Sequence, residues 1–297
     1  MQNEEIFQKA CLIQLTTSVW SASKSIDPQL LGQDSDWVTG RKRLINPEML
    51  GQIKTAAHQA RSKVKVRSLP FPIQSVQLIP KDYISEVEEI LQHYQKLFWE
   101  RVQEFEQMYS EARDEAKQKL GNLFRESEYP VDIKSKFKFD WKLFTIQQPD
   151  HLSVLSPELY EREKQNFEKL MSDTKELCTQ ALRQEFSQTL ENLVEKLNTT
   201  NGSKPKMLNN SMFNKLNNFL EQLETKNIFQ DEELIALAET AKNTISNISP
   251  YTLKYDSEFR EKIKSDMQSL QETVDQSIQD MPRRQINMDN IEKEEAV

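Results

Sequence analysis

Apolar side chains recur at steps of three and four between Pro80 and Pro130, a stretch that contains no proline. This spacing places the apolar residues on one face of an α-helix. The pattern predicts a single amphipathic helix of about 40 residues, about 60 Å long, with Asp82 as its N-cap. The apolar positions are Ile84, Val87, Leu91, Tyr94, Phe98, Val102, Phe105, Met108, Ala112, Ala116, Leu120 and Leu123.

A second stretch without proline lies between Pro157 and Pro205 and has similar periodicity. Ser156, Pro157 and Glu158 supply an N-cap, a first-turn proline and a first-turn acid, which is typical of a helix start. Two long helices with one apolar face each pack most simply side by side in opposite directions. The sequence therefore predicts an antiparallel, coiled-coil-like helical hairpin. The apolar positions of the second helix are Phe167, Leu170, Leu177, Ala181, Phe186, Leu190, Leu193 and Leu197.

Three shorter amphipathic helices are predicted after this hairpin. The first covers residues 207–226, the second starts at Asp231, and the third covers residues 256–280. The polar segment 198–206 predicts a loop. The polar residues after Pro282 predict a disordered tail.

Strand signals appear in the N-terminal part of the chain and again near residue 140. Residues 11–20 are rich in β-branched side chains, and residues 69–79 combine apolar residues with two prolines, which suits an edge strand. In residues 136–143, aromatic and aliphatic side chains alternate with Lys and Asp. Period two predicts a strand with one buried face.

Together these patterns predict a mainly α protein with a long helical hairpin, a helical C-terminal part and a small α+β head. The head spans residues 1–80, and the hairpin spans 81–200 with a β-containing tip or insert at 130–146. The C-terminal helices span 201–281, and the disordered tail spans 282–297.

The amino-acid counts argue against most enzyme classes. The chain has five glycines, and no two are close enough for a loop that holds nucleotide phosphates. The three histidines and two cysteines share no metal-ligand spacing. Paired acids such as Glu88 and Glu89 lie on the solvent-exposed face of the predicted helices, where they serve as solubilising charges. We therefore expect no cofactor, no metal and no catalytic site.

The cysteines, the N-terminal residues and the apolar segments predict the cellular location of the protein. Two cysteines far apart in sequence favour a pair of reduced thiols. The N-terminus has neither the basic residues nor the apolar run of a signal peptide. No apolar segment of the sequence is long enough to span a membrane. We therefore expect a cytoplasmic protein without membrane contact.

The formal net charge of −8 is unevenly distributed along the chain. Residues 37–81 contain nine basic residues and a single acid, Glu48, and residues 130–145 carry a smaller positive excess. The predicted helical arms are acidic. The candidate contacts for a partner or a nucleic acid are Arg41, Lys42, Arg43, Arg61, Lys63, Lys65, Arg67, Lys136 and Lys138.

These basic residues have three interpretations. They can hold a nucleic-acid backbone, with Trp37, Phe71 or Trp141 stacking on bases. They can dock on an acidic protein surface, including the acidic arms of a second copy. They can also form a solvated face without a partner. The four cations in residues 61–67 occupy every second position, which makes one charged face on a strand but scatters on a helix.

Two short segments of the N-terminal part repeat one pattern. Residues 26–32 and 45–51 each contain a capping Asp or Asn, a proline, apolar residues and a glycine. The repeat predicts either two similar capped turns in one small fold or a duplicated docking surface.

The same part of the chain carries a distinctive order of short motifs: Ser18-Val19-Trp20-Ser21-Ala22-Ser23-Lys24, Ile26-Asp27-Pro28 and Gly40-Arg41-Lys42-Arg43-Leu44-Ile45-Asn46-Pro47-Glu48-Met49-Leu50. In these motifs the chain resembles a bacterial and phage family known as domain of unknown function 3150, over residues 10–125. It departs from the family pattern at Ser21-Ala22-Ser23, where a glycine and basic residues are usual.

The resemblance brings no catalytic residues. It implies a gene that lies near the genes of a MoxR-like AAA+ ATPase and a von Willebrand A-type protein. In such a system this chain would be the third component, which is not an ATPase. Our first hypothesis is therefore a non-enzymatic scaffold, adaptor or regulatory subunit of a multiprotein complex, with self-association into a homo-oligomer as one option. The alternative is a nucleic-acid-binding protein that uses the basic head. An enzyme is the third and least favoured hypothesis.

Overall fold

In a computed structural model, the chain divides into two compact units, Met1–Gln148 and Pro149–Val297. We call them unit 1 and unit 2. The boundary between them falls inside the predicted hairpin segment 81–200. The predicted tail 282–297 lies outside the described residues. The structure describes residues 6–27, 39–147, 156–198, 210–246 and 248–281.

Unit 1 is built on a four-stranded antiparallel sheet with the strand order β4–β5–β1–β6. Leu12 of β1 pairs with Leu78 of β5 on one side and with Phe144 of β6 on the other. A separate hairpin joins β2 to β3. The strands are β1 (Ala10–Ser18), β2 (Ser23–Ile26), β3 (Gly40–Arg43), β4 (Leu69–Pro70), β5 (Val76–Pro80) and β6 (Lys138–Phe144).

The alternating pattern near residue 140 does form a strand, as predicted. That strand, β6, pairs with β1 of the N-terminal sheet. Along its apolar face Phe139 is buried, Trp141 is half-buried and Leu143 is exposed. Period two identified the face of the strand, but it carries no information on which strand lies beside it.

The proline-rich stretch 69–79 supplies two strands. Strand β4 is at the edge of the sheet, and β5 lies inside the sheet between β4 and β1. Pro70 suits β4 because a proline has no N–H to donate to a further strand. The prediction of an edge strand therefore holds for the first two residues of the stretch.

Two long helices cover one face of this sheet. Helix α2 (Gly51–Val66) follows a 3-10 turn that Asn46 caps, and α3 (Ile84–Leu120) contains 37 residues. A short helix, α1 (Ile6–Lys9), precedes β1. Gly51 adopts helical backbone angles at the start of α2, so it does not end the second copy of the repeat. Most of the first copy lies outside the described residues.

Helix α3 buries most of its predicted apolar face, with two differences. Met108 is 42% exposed, and the neighbouring Tyr109 is buried instead. Tyr109 lies four residues after Phe105 and three before Ala112, so it continues the same helical row. Its hydroxyl donates to the carbonyl of Pro130, which lets a polar side chain occupy a core position.

The start of α3 differs from the prediction. Asp82 lies within a 3-10 turn, Lys81–Tyr83, and does not cap the helix. The N-cap position is Tyr83, whose backbone is already helical and whose side chain makes no capping bond.

Aromatic side chains form the centre of the unit 1 core. Phe98 of α3 is fully buried, and its ring lies 5.4 Å from the ring of Phe139 and 6.4 Å from that of Phe137. Helix α2 contributes small residues to the same core, Ala56, Ala57 and Ala60. Small side chains at a helix contact allow a close approach, so α2 can lie near α3.

Unit 2 is helical throughout its described residues. Its helices are α4 (Pro157–Leu197), α5 (Asn214–Lys226), α6 (Glu232–Ile245), α7 (Pro250–Tyr255) and α8 (Ser257–Gln279). The predicted start of α4 is confirmed, since the Ser156 hydroxyl accepts a hydrogen bond from the Leu159 N–H. Asp231 caps α6 in the same way, through the Leu234 N–H.

Helix α4 packs along α8 and against α5. The rings of Phe186 and Phe219 stack at 5.0 Å where α4 meets α5. Three predicted core positions of α4, Leu170, Leu177 and Ala181, are only half-buried. The row that is buried includes Met171, Thr174, Cys178 and Leu182, which are one residue further along. The fold is thus mainly α with a small N-terminal sheet, and the antiparallel pairing of the two long helices stays a prediction.

A buried arginine joins three elements of unit 2. The Arg183 guanidinium on α4 makes two hydrogen bonds to the Asp231 carboxylate, at 2.8 and 3.0 Å, and one to Glu233 at 2.7 Å. It also donates to the carbonyl of Ser277 on α8. Burial acts to raise the pKa of Asp231, but hydrogen bonds from Arg183 and the Leu234 N–H outweigh burial and hold that pKa below its ordinary value.

None of the described helices carries an apolar stretch long enough to cross a bilayer.

The two units can be followed separately during unfolding. All four tryptophans, at positions 20, 37, 99 and 141, lie in unit 1, whereas Cys178 is fully buried in unit 2. Burial raises the pKa of the Cys178 thiol to about 12, so little reactive thiolate forms in the folded unit. We expect iodoacetamide to label Cys178 only after unit 2 unfolds in urea, as measured by peptide mass spectrometry. Labelling of Cys178 in native buffer at the rate of an unfolded thiol would contradict this packing.

We expect Arg183→Ala to destabilise unit 2 by about 3–5 kcal/mol, because it leaves the buried Asp231 carboxylate without its cation. The measurement is Cys178 labelling across a urea series. The control is Arg162→Ala on the same helix, whose exposed pair with Glu163 contributes about 0–1 kcal/mol. Tryptophan fluorescence should report an unchanged transition for unit 1. Equal effects of the two substitutions would show that the buried pair does not stabilise the unit.

Candidate functional site

The alternating cations of residues 61–67 lie on a helix and at its end, so they do not share one face. Successive residues on an α-helix are about 100° apart, and a step of two turns the side chain by about 200°. Arg61 and Lys65, one turn apart, therefore lie on one side of α2, while Lys63 lies on the opposite side. Arg67 is the residue that follows the helix.

Two of these cations already have partners inside unit 1. The Arg61 guanidinium donates to the carbonyl of Thr17 at 3.0 Å, which ties α2 to the end of β1. Arg67 pairs with Glu86 of α3 at 2.5 Å. The hydrogen bond from Arg67 lowers the pKa of the Glu86 carboxyl. Arg67 thus joins α2 to α3.

The β2–β3 hairpin divides its cations between two faces. Arg41 and Arg43 are exposed on one face, and Arg41 donates to the hydroxyl of Ser23 at 2.9 Å. Lys42 points to the other face and is only 7% exposed. Its ammonium lies 2.6 Å from the Glu128 carboxylate and donates to the carbonyl of Leu123. Lys42 was predicted as a partner contact, but its charge is used within the unit.

Tyr129, the residue after Glu128, makes a further hydrogen bond beside the Lys42–Glu128 pair. The Tyr129 hydroxyl donates to the carbonyl of Leu44 at 2.7 Å. Burial raises the pKa of Tyr129 to about 12, and the charge of Glu128 adds to the shift, so the hydroxyl remains a donor at neutral pH. These bonds hold the segment after α3 against the strand that carries Lys42.

Lys136 and Lys138 are both exposed. Lys136 ends a 3-10 turn just before β6, and Lys138 is the first residue of β6. Lys138 pairs in the sheet with Ser18, the residue after the Thr17 whose carbonyl accepts from Arg61. The end of β1 therefore brings the Arg61 and Lys138 segments together, although the two residues are far apart in sequence. Arg41 and Arg43 lie on the β2–β3 hairpin.

Most of the nine predicted cations carry uncompensated charge. Among the described residues, only Lys42 and Arg67 of this set form salt bridges. We define the cationic surface as the other seven residues: Arg41, Arg43, Arg61, Lys63, Lys65, Lys136 and Lys138.

The predicted stacking aromatics are not presented to solvent beside these cations. Phe71 is buried, and Trp141 is half-buried with its indole N–H bonded to the Glu88 carboxylate at 2.9 Å. Trp37 lies outside the described residues. Base stacking by Phe71 or Trp141 would require these side chains to leave their packing sites.

Sequence reasoning missed a cleft beside α2. It measures about 780 Å³ and lies between the cationic side of α2, the strand β1 and the turn that links β4 to β5. Ile73 at its rim is 44% exposed. The two prolines around Phe71 predict part of an edge strand, and no pattern in the sequence shows a turn there or a helix that faces it. The lining residues are Ile13, Leu15, His58, Arg61, Ser62, Val64, Lys65, Pro70, Phe71, Pro72, Ile73, Gln74, Ser75, Val76 and Gln77.

In the described parts of both units, no group of three or more His, Cys, Asp or Glu side chains converges as a set of metal ligands. Of the cationic surface, Arg61 and Lys65 line the cleft beside α2 together with apolar side chains of β1 and the β4–β5 turn.

Comparison with known families agrees with the motif order of the N-terminal part. The sequence model of the family described as protein of unknown function (DUF3150) matches residues 7–242. The chain belongs to this family. The match extends beyond the N-terminal resemblance, through α4 and α5 and into α6 of unit 2. No curated protein and no solved structure matches the chain.

The turn before β2 has a backbone that suits glycine better than the alanine found there. Ala22 has a φ of 48°, in the left-handed region that glycine adopts without strain. Its carbonyl accepts from the Leu44 N–H at 2.8 Å, which fixes this turn.

We expect Lys42→Ala to destabilise unit 1 by about 3–5 kcal/mol, since it leaves Glu128 without its cation in a largely buried site. Arg43→Ala removes an exposed charge from the next residue and should change stability by about 0.5 kcal/mol or less. Urea unfolding followed by tryptophan fluorescence measures both. If Lys42→Ala were as mild as Arg43→Ala, Lys42 would remain available as a partner contact.

Proposed function

We propose that this DUF3150 chain is a non-enzymatic adaptor or regulatory subunit that docks through its cationic surface on an acidic face of a partner protein in the cytoplasm. The observation that carries the proposal is the set of exposed cations without salt bridges, concentrated on α2 and the β2–β3 hairpin. Helix α2 contains four cations and no acid. Uncompensated charge of one sign raises the local potential and steers a partner of opposite sign.

Acidic residues are available nearby but do not neutralise this surface. Helix α3 contains nine acids and five cations, yet among the described residues its one salt bridge to the nine predicted cations is that of Glu86 with Arg67. Water solvates these exposed cations, so they lose little by lacking an intramolecular partner and stay available to an external one. Their separation from the acids of α3 favours an external acidic partner.

A protein partner is favoured over a nucleic acid by the state of the aromatic residues. Non-specific binding to single strands combines a cationic groove with exposed aromatic rings, and Phe71 and Trp141 are packed or hydrogen-bonded. Backbone-only contact with phosphates needs cations alone, so nucleic-acid binding remains the second candidate. It would show a steep loss of affinity with salt.

The identity of the partner rests on the family resemblance. We propose a complex with a MoxR-like AAA+ ATPase and a von Willebrand A-type protein, in which this chain supplies no ATPase site. Self-association of the long helices, as a coiled-coil-like hairpin or a homo-oligomer, belongs to the same proposal. It would present several cationic surfaces to a ring-shaped partner.

The test is capture of the AAA+ ATPase by the tagged full-length chain in its native host. The variant is the triple change Arg43→Glu, Lys63→Glu and Lys65→Glu, which alters exposed residues without salt bridges. The control is Lys169→Glu, Lys175→Glu and Lys262→Glu, which makes the same charge change in unit 2. We expect capture to survive nuclease, to persist in the control and to fall about tenfold or more in the variant, since several charge contacts are reversed.

Two outcomes would contradict the proposal. Capture that disappears with nuclease, together with direct binding of an oligonucleotide at low salt, would establish the nucleic-acid alternative. Equal capture by the variant and the control would show that the cationic surface is a solvated face without a partner.

A further inference from the structure

The cleft beside α2 combines an apolar interior with a cationic rim. Its apolar lining includes Ile13, Val64 and Phe71, which are buried. Leu15 of β1 is half-buried and Ile73 of the β4–β5 turn is exposed, so these two supply the apolar surface that a ligand can reach. Arg61 and Lys65 lie at the α2 side. None of the lining residues is an acid. A ligand that fits this arrangement has an apolar group to place inside and negative charge beside it.

We propose that this cleft binds an acidic peptide segment of the partner protein, with one large apolar side chain inserted next to Ile73 and carboxylates facing Arg61 and Lys65. The proposal rests on the proposed function and names the chemistry of the partner at one part of the cationic surface. The volume of about 780 Å³ is within the range of ligand sites.

The apolar part of the cleft, and not the charge of its rim, favours a peptide over a nucleic acid at this position. Phosphates would be satisfied by the rim cations, but the apolar interior offers no exposed ring for a base, because Phe71 is buried. An aliphatic or aromatic side chain flanked by Asp or Glu uses both parts of the cleft. The exposed part of Ile73 is apolar surface that such a side chain would remove from water.

Arg61 is held in place for this contact before any ligand binds. One of its N–H groups is bonded to the Thr17 carbonyl. A guanidinium has five N–H donors, so others remain for a carboxylate. A side chain already fixed by one bond loses less conformational entropy on binding than a mobile one.

The chain offers a matched pair of substitutions for each half of the cleft. Ile73 and Val66 are both 44% exposed, but only Ile73 lines the cleft. Lys65 and Lys63 are exposed lysines of the same helix, but only Lys65 lines it. Ile73→Ser and Lys65→Glu therefore test the cleft, with Val66→Ser and Lys63→Glu as their controls.

The measurement is fluorescence anisotropy with the full-length chain and three labelled probes. The first is a synthetic peptide in which Leu and Phe are surrounded by Asp and Glu. In the second, the apolar residues are Ser, and the third is a single-stranded oligonucleotide. We expect the first peptide to bind at least about tenfold more tightly than the second, because only it fills the apolar interior.

The variants should separate in the same assay. We expect Ile73→Ser to lose about tenfold or more in affinity for the first peptide while Val66→Ser stays within about twofold. Lys65→Glu should weaken binding several-fold more than Lys63→Glu. Circular dichroism and tryptophan fluorescence check the fold, and if Ile73→Ser is not folded, the lysine pair carries the test.

Each contrary result has a separate meaning. Equal binding of the two peptides, with equal effects in each matched pair, would overturn the cleft proposal and leave docking on an acidic protein intact. Binding of the oligonucleotide alone would overturn both the cleft and the protein-docking proposals. Binding of none of the probes would overturn the cleft proposal, while ATPase capture would decide the proposed function separately.

Discussion

The long apolar face of α3 is the constraint on which unit 1 depends. A 37-residue helix with one apolar row must bury that row along most of its length. The sheet and α2 cover the first part through residues such as Ile13, Ile79 and Ala60. The segment after α3 returns along the second part and adds Tyr129, Ile133 and Phe137 to the same core. Helix α2 is therefore placed where it can cover the first part of the apolar row of α3.

Buried polar contacts then set which alignment of these elements is allowed. In unit 1, Lys42 and Glu128 must meet, because either charge alone would be costly where water is largely excluded. In unit 2, Arg183 imposes the same condition on α4, α8 and the cap of α6. Apolar packing tolerates small shifts along a helix, whereas the bidentate Arg183–Asp231 pair requires one geometry. These pairs therefore determine how the elements align with one another, and they add little to the apolar core.

Three residues of the cationic surface, Arg61, Lys63 and Lys65, lie on the sides of α2 that remain exposed after its apolar side is buried. The small residues that approach α3 occupy one side of the helix, so its cations must lie on the others. Arg61 and Lys65 consequently meet the β4–β5 turn and form the rim of a cleft, while Lys63 faces elsewhere. A helix thus gives two charged sides with different neighbours, and only one of them has apolar surface beside it. Substitutions on the two sides can therefore distinguish binding that depends on charge alone from binding that also uses apolar surface.

The sequence alone determined the mainly α class, the approximate extents of the long helices, most of the apolar face of α3, the strand near residue 140 and the family. These features depend on local spacing, on caps such as Ser156 and on motif order, all of which are read along the chain. Tertiary structure alone decided that β6 pairs with β1, that Lys42 is buried against Glu128, and that Tyr109 replaces Met108 in the core. It also decided that a cleft lies beside α2. The physical reason is that periodicity fixes the direction of a side chain relative to its own element, whereas a partner residue distant in sequence fixes what that side chain meets.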